Sequence, residues 1–176
     1  YAELVRQTGL EVGEPELRGR SRALAAEFIA ERQALPGVDR WLDEAAGAGL
    51  VVAMASSSPR EWVVRHLARL GLTKHFGVIA SFDDCGAKKP DPASYLLACR
   101  QLGVAPEQAL AVEDSRHGMV AAKAAGLSCV VVPNVMTAHM DFTGADLVLG
   151  SLEEAGPLEV IERLGGSPAR SELQRH

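Results

Sequence analysis

Apolar residues along the chain follow two regimes. Up to Gln33 they recur at helical spacing. Tyr1, Leu4 and Val5 read as a helix stopped by Gly9, and a second helix is predicted over 14–33, with Pro15 in its first turn and Leu17, Leu24, Phe28 and Ile29 near one face. The punctuation Leu35-Pro36-Gly37-Val38 then ends the purely helical part. Beyond it, short unbroken apolar runs alternate with one-sided helical patterns. Strands are predicted over 50–55, 78–80, 109–112, 129–132 and 147–149, and helices over 38–48, 59–70, 92–102, 118–125 and 152–164. Strand alternating with helix is the pattern of an α/β protein built on a parallel sheet. The pattern divides the chain into a helical unit over 1–34, a strand–helix domain over 35–166 and a polar tail over 167–176.

Composition narrows what such a chain can do. With 47% hydrophobic and 23% charged residues, 176 residues can bury a core of ordinary size. A formal net charge of −5 and the lack of a basic stripe interleaved with aromatics argue against a nucleic-acid partner. No apolar run reaches membrane-spanning length and no secretory pattern opens the chain, so no membrane partner is expected. Cys85, Cys99 and Cys129 show no metal-ligand spacing and read as reduced structural thiols of a cytoplasmic protein.

Candidate chemistry gathers where predicted strands end. The run Ala109-Leu110-Ala111-Val112 leads into Glu113, Asp114 and Ser115. In open α/β sheets the ligand crevice lies beyond the carboxyl ends of the strands. Asp114 or Ser115 could equally cap the helix that follows. Ser56, Ser57 and Ser58 follow the strand over 50–55, and Ser58-Pro59-Arg60-Glu61 has the form of a capping box. That leaves Ser56 and Ser57 beside a helix N-terminus, where either an anion site or a simple turn fits. In Lys88-Lys89-Pro90-Asp91-Pro92, Asp91 reads as a cap and Lys88 as solvated. Lys89 is held extended by Pro90, so it could neutralise a phosphate or steady a carboxylate. Arg18, Arg20 and Arg22 in the helical unit are either a solvated face or contacts for a second anionic group. His66, His75, His117 and His139 form no ligand pattern.

Taken in order and spacing, these segments resemble the haloacid dehalogenase-like hydrolase superfamily, in its helical-cap branch with the β-phosphoglucomutase-like phosphatases. The stretches that carry the resemblance are Leu35-Pro36-Gly37-Val38, Ala53-Met54-Ala55-Ser56-Ser57-Ser58, Lys89-Pro90-Asp91-Pro92, and Val112-Glu113-Asp114-Ser115 with Gly118, Ala121, Ala122, Lys123, Ala125 and Gly126. The resemblance implies a Rossmann-like core with a parallel sheet and a partial helical cap. It implies that Ser56 hydrogen-bonds the transferring phosphoryl group, that Ser57 offers its backbone N–H, and that Lys89 bridges phosphate and nucleophile. It also implies that Glu113 and Asp114 hold Mg²⁺. Phosphoryl transfer needs such positioned positive charge and an oxygen-ligated metal.

One family feature is missing. The first motif, a strand ending Asp-x-Asp-Gly that supplies nucleophile and acid/base, occurs nowhere in the sequence, and Asp83-Asp84, Asp141 and Asp146 are misplaced for it. The resemblance implies that this motif lies upstream of Tyr1, on a strand central to the sheet. The chain is therefore expected to be N-terminally truncated and inactive as written. Its sheet should show a slot of about 9–10 Å between the strands over 50–55 and 109–112, unless these two pair directly. The implied parent is a monomeric cytoplasmic Mg²⁺-dependent hydrolase of small phosphate monoesters, sugar phosphates or phosphoglycolate-like metabolites. Alternatives are a phosphomutase and a non-catalytic binding or regulatory module. A receiver-like signalling domain fits less well, because serines stand where its phosphoacceptor aspartate belongs.

Overall fold

The structure, a computed structural model, describes Arg6, Gly9 and residues 13–166. The first predicted helix, apart from helical Arg6, and the tail over 167–176 lie outside the described residues. The chain divides into two units, Tyr1–Ala34 and Leu35–His176. In the first, helix α1 spans Glu14–Ala30 with Pro15 in its opening turn. It stops before the predicted 33, where the Arg32 N–H turns back to the Ile29 carbonyl.

The second unit opens on Gly37, which has φ 86° at the N-terminus of helix α2 (Val38–Gly47). Only glycine fits there. The left-handed backbone disfavours a side chain, and a Cβ would lie 2.7 Å from the backbone carbon of Leu152. Strand β1 (Ala53–Ala55) and helix α3 (Arg60–Arg69) follow. Next come a 3₁₀ turn over Thr73–His75, strand β2 (Val78–Ala80) and the short helix α4 (Phe82–Cys85). Helix α5 (Ala93–Leu102), strand β3 (Leu110–Glu113) and helix α6 (Arg116–Ala124) form the next repeat. Strand β4 (Ser128–Val131), strand β5 (Leu147–Val148) and helix α7 (Pro157–Arg163) complete it. No helix among the described residues is long and apolar enough to cross a membrane.

Several local expectations are corrected, each for a visible reason. The Ser58–Glu61 capping box does not form. Pro59 takes the cap position of α3, and the Arg60 N–H is taken instead by Asp83 Oδ2 at 2.7 Å. Asp83 belongs to α4, which four residues could not announce by periodicity but which a box between Ser81 and Asp84 closes. Hydrogen bonds from Ser81, together with Arg60, hold the Asp84 carboxyl below its ordinary range. Helix α6 begins at Arg116, ahead of the predicted 118, because Ser115 Oγ accepts the Gly118 N–H. Helix α7 begins at Pro157 rather than 152. The Leu152 and Ala155 carbonyls are spent on Trp41 Nε1, at 3.0 and 2.7 Å, and cannot serve a helix.

All pairings are parallel, β1 with β2 in one sheet and β3–β4–β5 in the other. Val130 and Val131 are both fully buried but join different clusters, one around Trp41 and Val160, the other around Tyr95, Cys99, Met119 and Cys129. Burial on both faces is what a parallel sheet requires. Cys85, Cys99 and Cys129 are free thiols, and burial, then Glu113, pushes Cys129 up to about 12.

The interruption expected between the two strand sets is present: among the described residues nothing pairs β1 with β3 or lies between them in either sheet. Val112, between buried Ala111 and Glu113, is 42% exposed, and Val51 just before β1 is 58% exposed. Interior parallel strands do not show such exposure.

Asp146 fastens β4 to α6, its Oδ2 accepting from the Cys129 N–H at 2.7 Å and Lys123 Nζ at 2.6 Å. Burial pushes its carboxyl up, but these partners outweigh that and hold it below its ordinary range. A depressed folded value stabilises above the unfolded pKa of about 3.9 and is lost as pH falls through the folded value. Asp146→Asn is expected to cost about 1 kcal/mol at pH 7, allowing for partial exposure. The gap between variant and parent in urea unfolding should close as the pH drops below about 4.

Candidate active site

Lys89 is the residue on which the strand ends meet. Its backbone N–H donates to Ser57 Oγ at 2.9 Å, at the end of β1, while its ammonium donates to Glu113 Oε1 at the end of β3. One residue thus ties together the two strands that no ladder joins. Asp91 Oδ1 accepts the Ala93 N–H at 2.9 Å across Pro92, which takes the cap position of α5 expected for Asp91. That fixes the exit of the Lys89 segment.

The ammonium is enclosed rather than solvated. The side chains of Lys89 and Glu113 are 14% and 7% exposed. Tyr95, in the first turn of α5, donates its hydroxyl to the same Glu113 Oε1 and accepts from Lys89 Nζ at 3.3 Å. The ammonium also lies 4.6 Å from the Tyr95 ring centroid. Burial, then the Glu113 charge, pushes the Tyr95 phenol well above its ordinary value, so it stays a donor. An ammonium has three donors. Glu113 and Tyr95 take two, and one is left for an oxygen ligand.

The serines divide their work differently from expectation. Ser56 N donates to the Ala80 carbonyl at 2.9 Å, and Ser56 Oγ accepts the Ser58 N–H at 3.1 Å. A hydroxyl that accepts keeps its own proton to give. Ser57 was expected to act through its backbone N–H, yet it is the Ser57 hydroxyl that accepts from Lys89. The Ser58 carbonyl receives the Phe82 N–H at 3.1 Å, joining this turn to α4.

Glu113 and Asp114, adjacent in sequence, part ways. Glu113 is buried against Lys89 and Tyr95, whereas Asp114 is exposed and its Oδ2 accepts from Asn134 Nδ2 at 2.8 Å. Ser115, not Asp114, caps α6. Of the arginines, Arg20 pairs with Glu16 at 2.8 Å on the exposed face of α1. The side chains of Arg18 and Arg22 lie outside the described residues. His66 lies against Trp62, with ring centroids 4.1 Å apart, and His75 reaches Asp43 at 3.8 Å. Among the described residues no group of three or more His, Cys, Asp or Glu could alone hold a metal.

Three contributors escaped the sequence. Tyr95 lies inside the helix predicted over 92–102, where the apolar pattern does not single it out. Gly118 carries the family resemblance, but its contact was not legible: a Cβ there would fall on the Glu113 carboxylate, 2.6 Å from Oε1. Asn134 follows β4, so the strand-end rule that found Glu113 would have found it too.

The family model for haloacid dehalogenase-like hydrolases matches residues 3–126. The chain is 42% identical over 154 residues to "Putative phosphatase YhcW" of Bacillus subtilis, covering 88% of this chain and 70% of that protein. It is 38% identical to "Hexitol phosphatase B" of Escherichia coli, covering 75% of this chain and 60% of the relative. Among solved structures, a CbbY mutant from Rhodobacter sphaeroides in complex with xylulose-(1,5)bisphosphate superposes with TM-score 0.69 at 34% identity. That match covers 84% of this chain and 68% of the other.

Proposed function

This chain belongs to the haloacid dehalogenase-like hydrolases, as a phosphoric monoester hydrolase, and from that premise we propose that it forms the phosphate- and metal-binding half of a Mg²⁺-dependent sugar-phosphate phosphatase. The observation that carries the proposal is the Lys89 bridge between Ser57 and Glu113 across the open sheet. A buried, doubly anchored ammonium at the carboxyl ends of two strands is a preorganised counter-charge for a phosphoryl group. Xylulose bisphosphate in one structural relative and hexitol phosphatase among the sequence relatives point to phosphorylated sugars as the substrate class.

In this reading the third Lys89 proton and the Ser56 hydroxyl bind non-bridging oxygens of the transferring group. Glu113, with Tyr95, fixes the lysine. The exposed Asp114 carboxylate fits a hard cation that takes oxygen ligands and needs only one or two carboxylates besides phosphate and water. When bound, Mg²⁺ supplies charge neutralisation on the phosphoryl oxygens. Glu113 holds Lys89 and Tyr95 through Oε1 and keeps its second oxygen for the metal role that the resemblance implies. The nucleophilic carboxylate belongs to a strand seated between β1 and β3 that this chain does not carry. We place the enzyme in the cytoplasm and its cap contacts to a second anionic group at Arg18, Arg20 or Arg22.

The test is phosphate release from a panel of sugar mono- and bisphosphates. The full-length protein, upstream strand included, is expected to turn them over with Mg²⁺ and to stop in EDTA, while the 176-residue chain releases none. Turnover by purified chain alone, or by the full-length protein in EDTA, overturns the reading. Absence of release from every ester by the full-length protein favours the non-catalytic module instead. One structural relative, a putative β-phosphoglucomutase from Thermotoga maritima at 28% identity and TM-score 0.72, keeps phosphomutase as a second reading. Conversion of a sugar phosphate to its positional isomer, without net phosphate release, would favour it.

A further inference from the structure

After β4 the chain turns sharply through Asn134-Val135-Met136-Thr137. The turn is not held by burying its apolar residues, since Val135 is 95% and Met136 76% exposed. Polar bonds centred on Asn134 hold it. The Asn134 carbonyl accepts the Thr137 and Ala138 N–H groups at 3.0 and 2.8 Å, and the Asn134 N–H donates to Thr137 Oγ1 at 3.0 Å. Thr137 itself is buried. The side-chain amide is equally constrained. Its Oδ1 accepts the Met136 N–H at 2.8 Å, and its Nδ2 donates to Asp114 Oδ2 at 2.8 Å. A flipped amide would set two N–H donors against each other and an oxygen against a carboxylate, so both partners dictate one orientation. Backbone and side chain of one residue are thus fully committed, and the outcome is a donor aimed at the exposed acid of the site.

We propose that Asn134 is a positioning residue for Asp114: by engaging Oδ2 it sets the carboxylate plane and presents Oδ1 to the cation. The inference rests on the reading of Asp114 as a metal ligand. A hydrogen-bond partner of a ligating carboxylate governs metal affinity without touching substrate. The partners of Glu113 are Lys89 and Tyr95, so Asn134 acts on Asp114 alone.

The experiment uses the full-length enzyme with Mn²⁺ as probe, free Mn²⁺ being counted by electron paramagnetic resonance. Asn134→Ala is expected to weaken Mn²⁺ binding about 10-fold or more. It should raise the Mg²⁺ needed for half-maximal turnover by the same factor. The KM for a sugar phosphate at saturating Mg²⁺ should stay within about twofold, since uniform substrate binding is untouched. Thr137→Val, which loosens Asn134 without reaching Asp114, should weaken Mn²⁺ in the same direction by a smaller factor. Unchanged Mn²⁺ affinity in Asn134→Ala overturns the positioning role and leaves the phosphatase reading standing. A shift of KM and metal affinity together, with a melting point lowered by more than about 4 °C, also overturns it, because a general loosening of the fold moves everything. A parent enzyme that binds no Mn²⁺ overturns both.

Discussion

Lys89→Met is expected to lose both catalysis and stability, and adding Glu113→Gln is expected to restore the stability alone. The two losses have different origins. Catalysis loses a preorganised positive charge aimed at the phosphoryl oxygens, an effect of about 10²–10³ in kcat. Stability falls because the Glu113 side chain, 7% exposed, loses its counter-ion. Breaking one side of a buried pair costs about 3–5 kcal/mol, more than the intact pair is worth against a neutral replacement. Tyr95 still donates to Glu113 in the single variant and softens the loss. In the double variant the glutamine is neutral and its oxygen still accepts from Tyr95, so most of the stability should return. Urea unfolding of single and double variants, beside sugar-phosphate turnover by the full-length enzyme, separates the two effects. Recovery of turnover in the double variant would show that Lys89 serves only to satisfy Glu113.

What the sequence disclosed about this site depended on where each residue stands along its strand. Ser57, Glu113 and Asp114 were legible because they follow apolar runs at the carboxyl ends of predicted strands, and Lys89 because Pro90 holds it extended. The interrupted sheet was legible through the family resemblance, not through the apolar pattern, which reads the same whether a neighbour is present or not. The pattern overstated β1 for that very reason. The apolar run over 50–55 predicts a longer strand, but with a ladder on one side only, the strand holds to Ala53–Ala55. Helix α7 was misjudged because Trp41, far away in sequence, claims the carbonyls of its expected first turn. Tyr95 was hidden because ring burial and hydroxyl function call for the same helical position. Gly118 was hidden by its own commonest meaning.

That meaning is what Gly118→Ala tests. A glycine inside a helix normally gains about 1 kcal/mol on conversion to alanine. Gly118 lies within α6, where no left-handed backbone demands a glycine. Propensity alone therefore predicts a more stable protein. The structure predicts the opposite sign, because the new Cβ would occupy the place of the Glu113 carboxylate, 2.6 Å from Oε1 and closer still to Oε2 and Cδ. A glutamate on the surface would swing aside at little cost. Here Lys89 and Tyr95 both hold Oε1, so yielding to the methyl group dissolves the whole cluster. Turnover by the full-length enzyme should fall at least about 10²-fold, as for loss of the lysine's alignment. Stability should fall by about 1–2 kcal/mol, the lost buried bonds outweighing the helix gain. The decisive comparison repeats the substitution in a Glu113→Ala background, where the carboxylate is gone. There Gly118→Ala should revert to an ordinary helix substitution and stabilise by about 0.5–1 kcal/mol. A sign that changes with the residue at 113 locates the constraint in that contact. A stabilising effect in both backgrounds would mean that Glu113 moves freely, and that Lys89 is not held where phosphate would meet it.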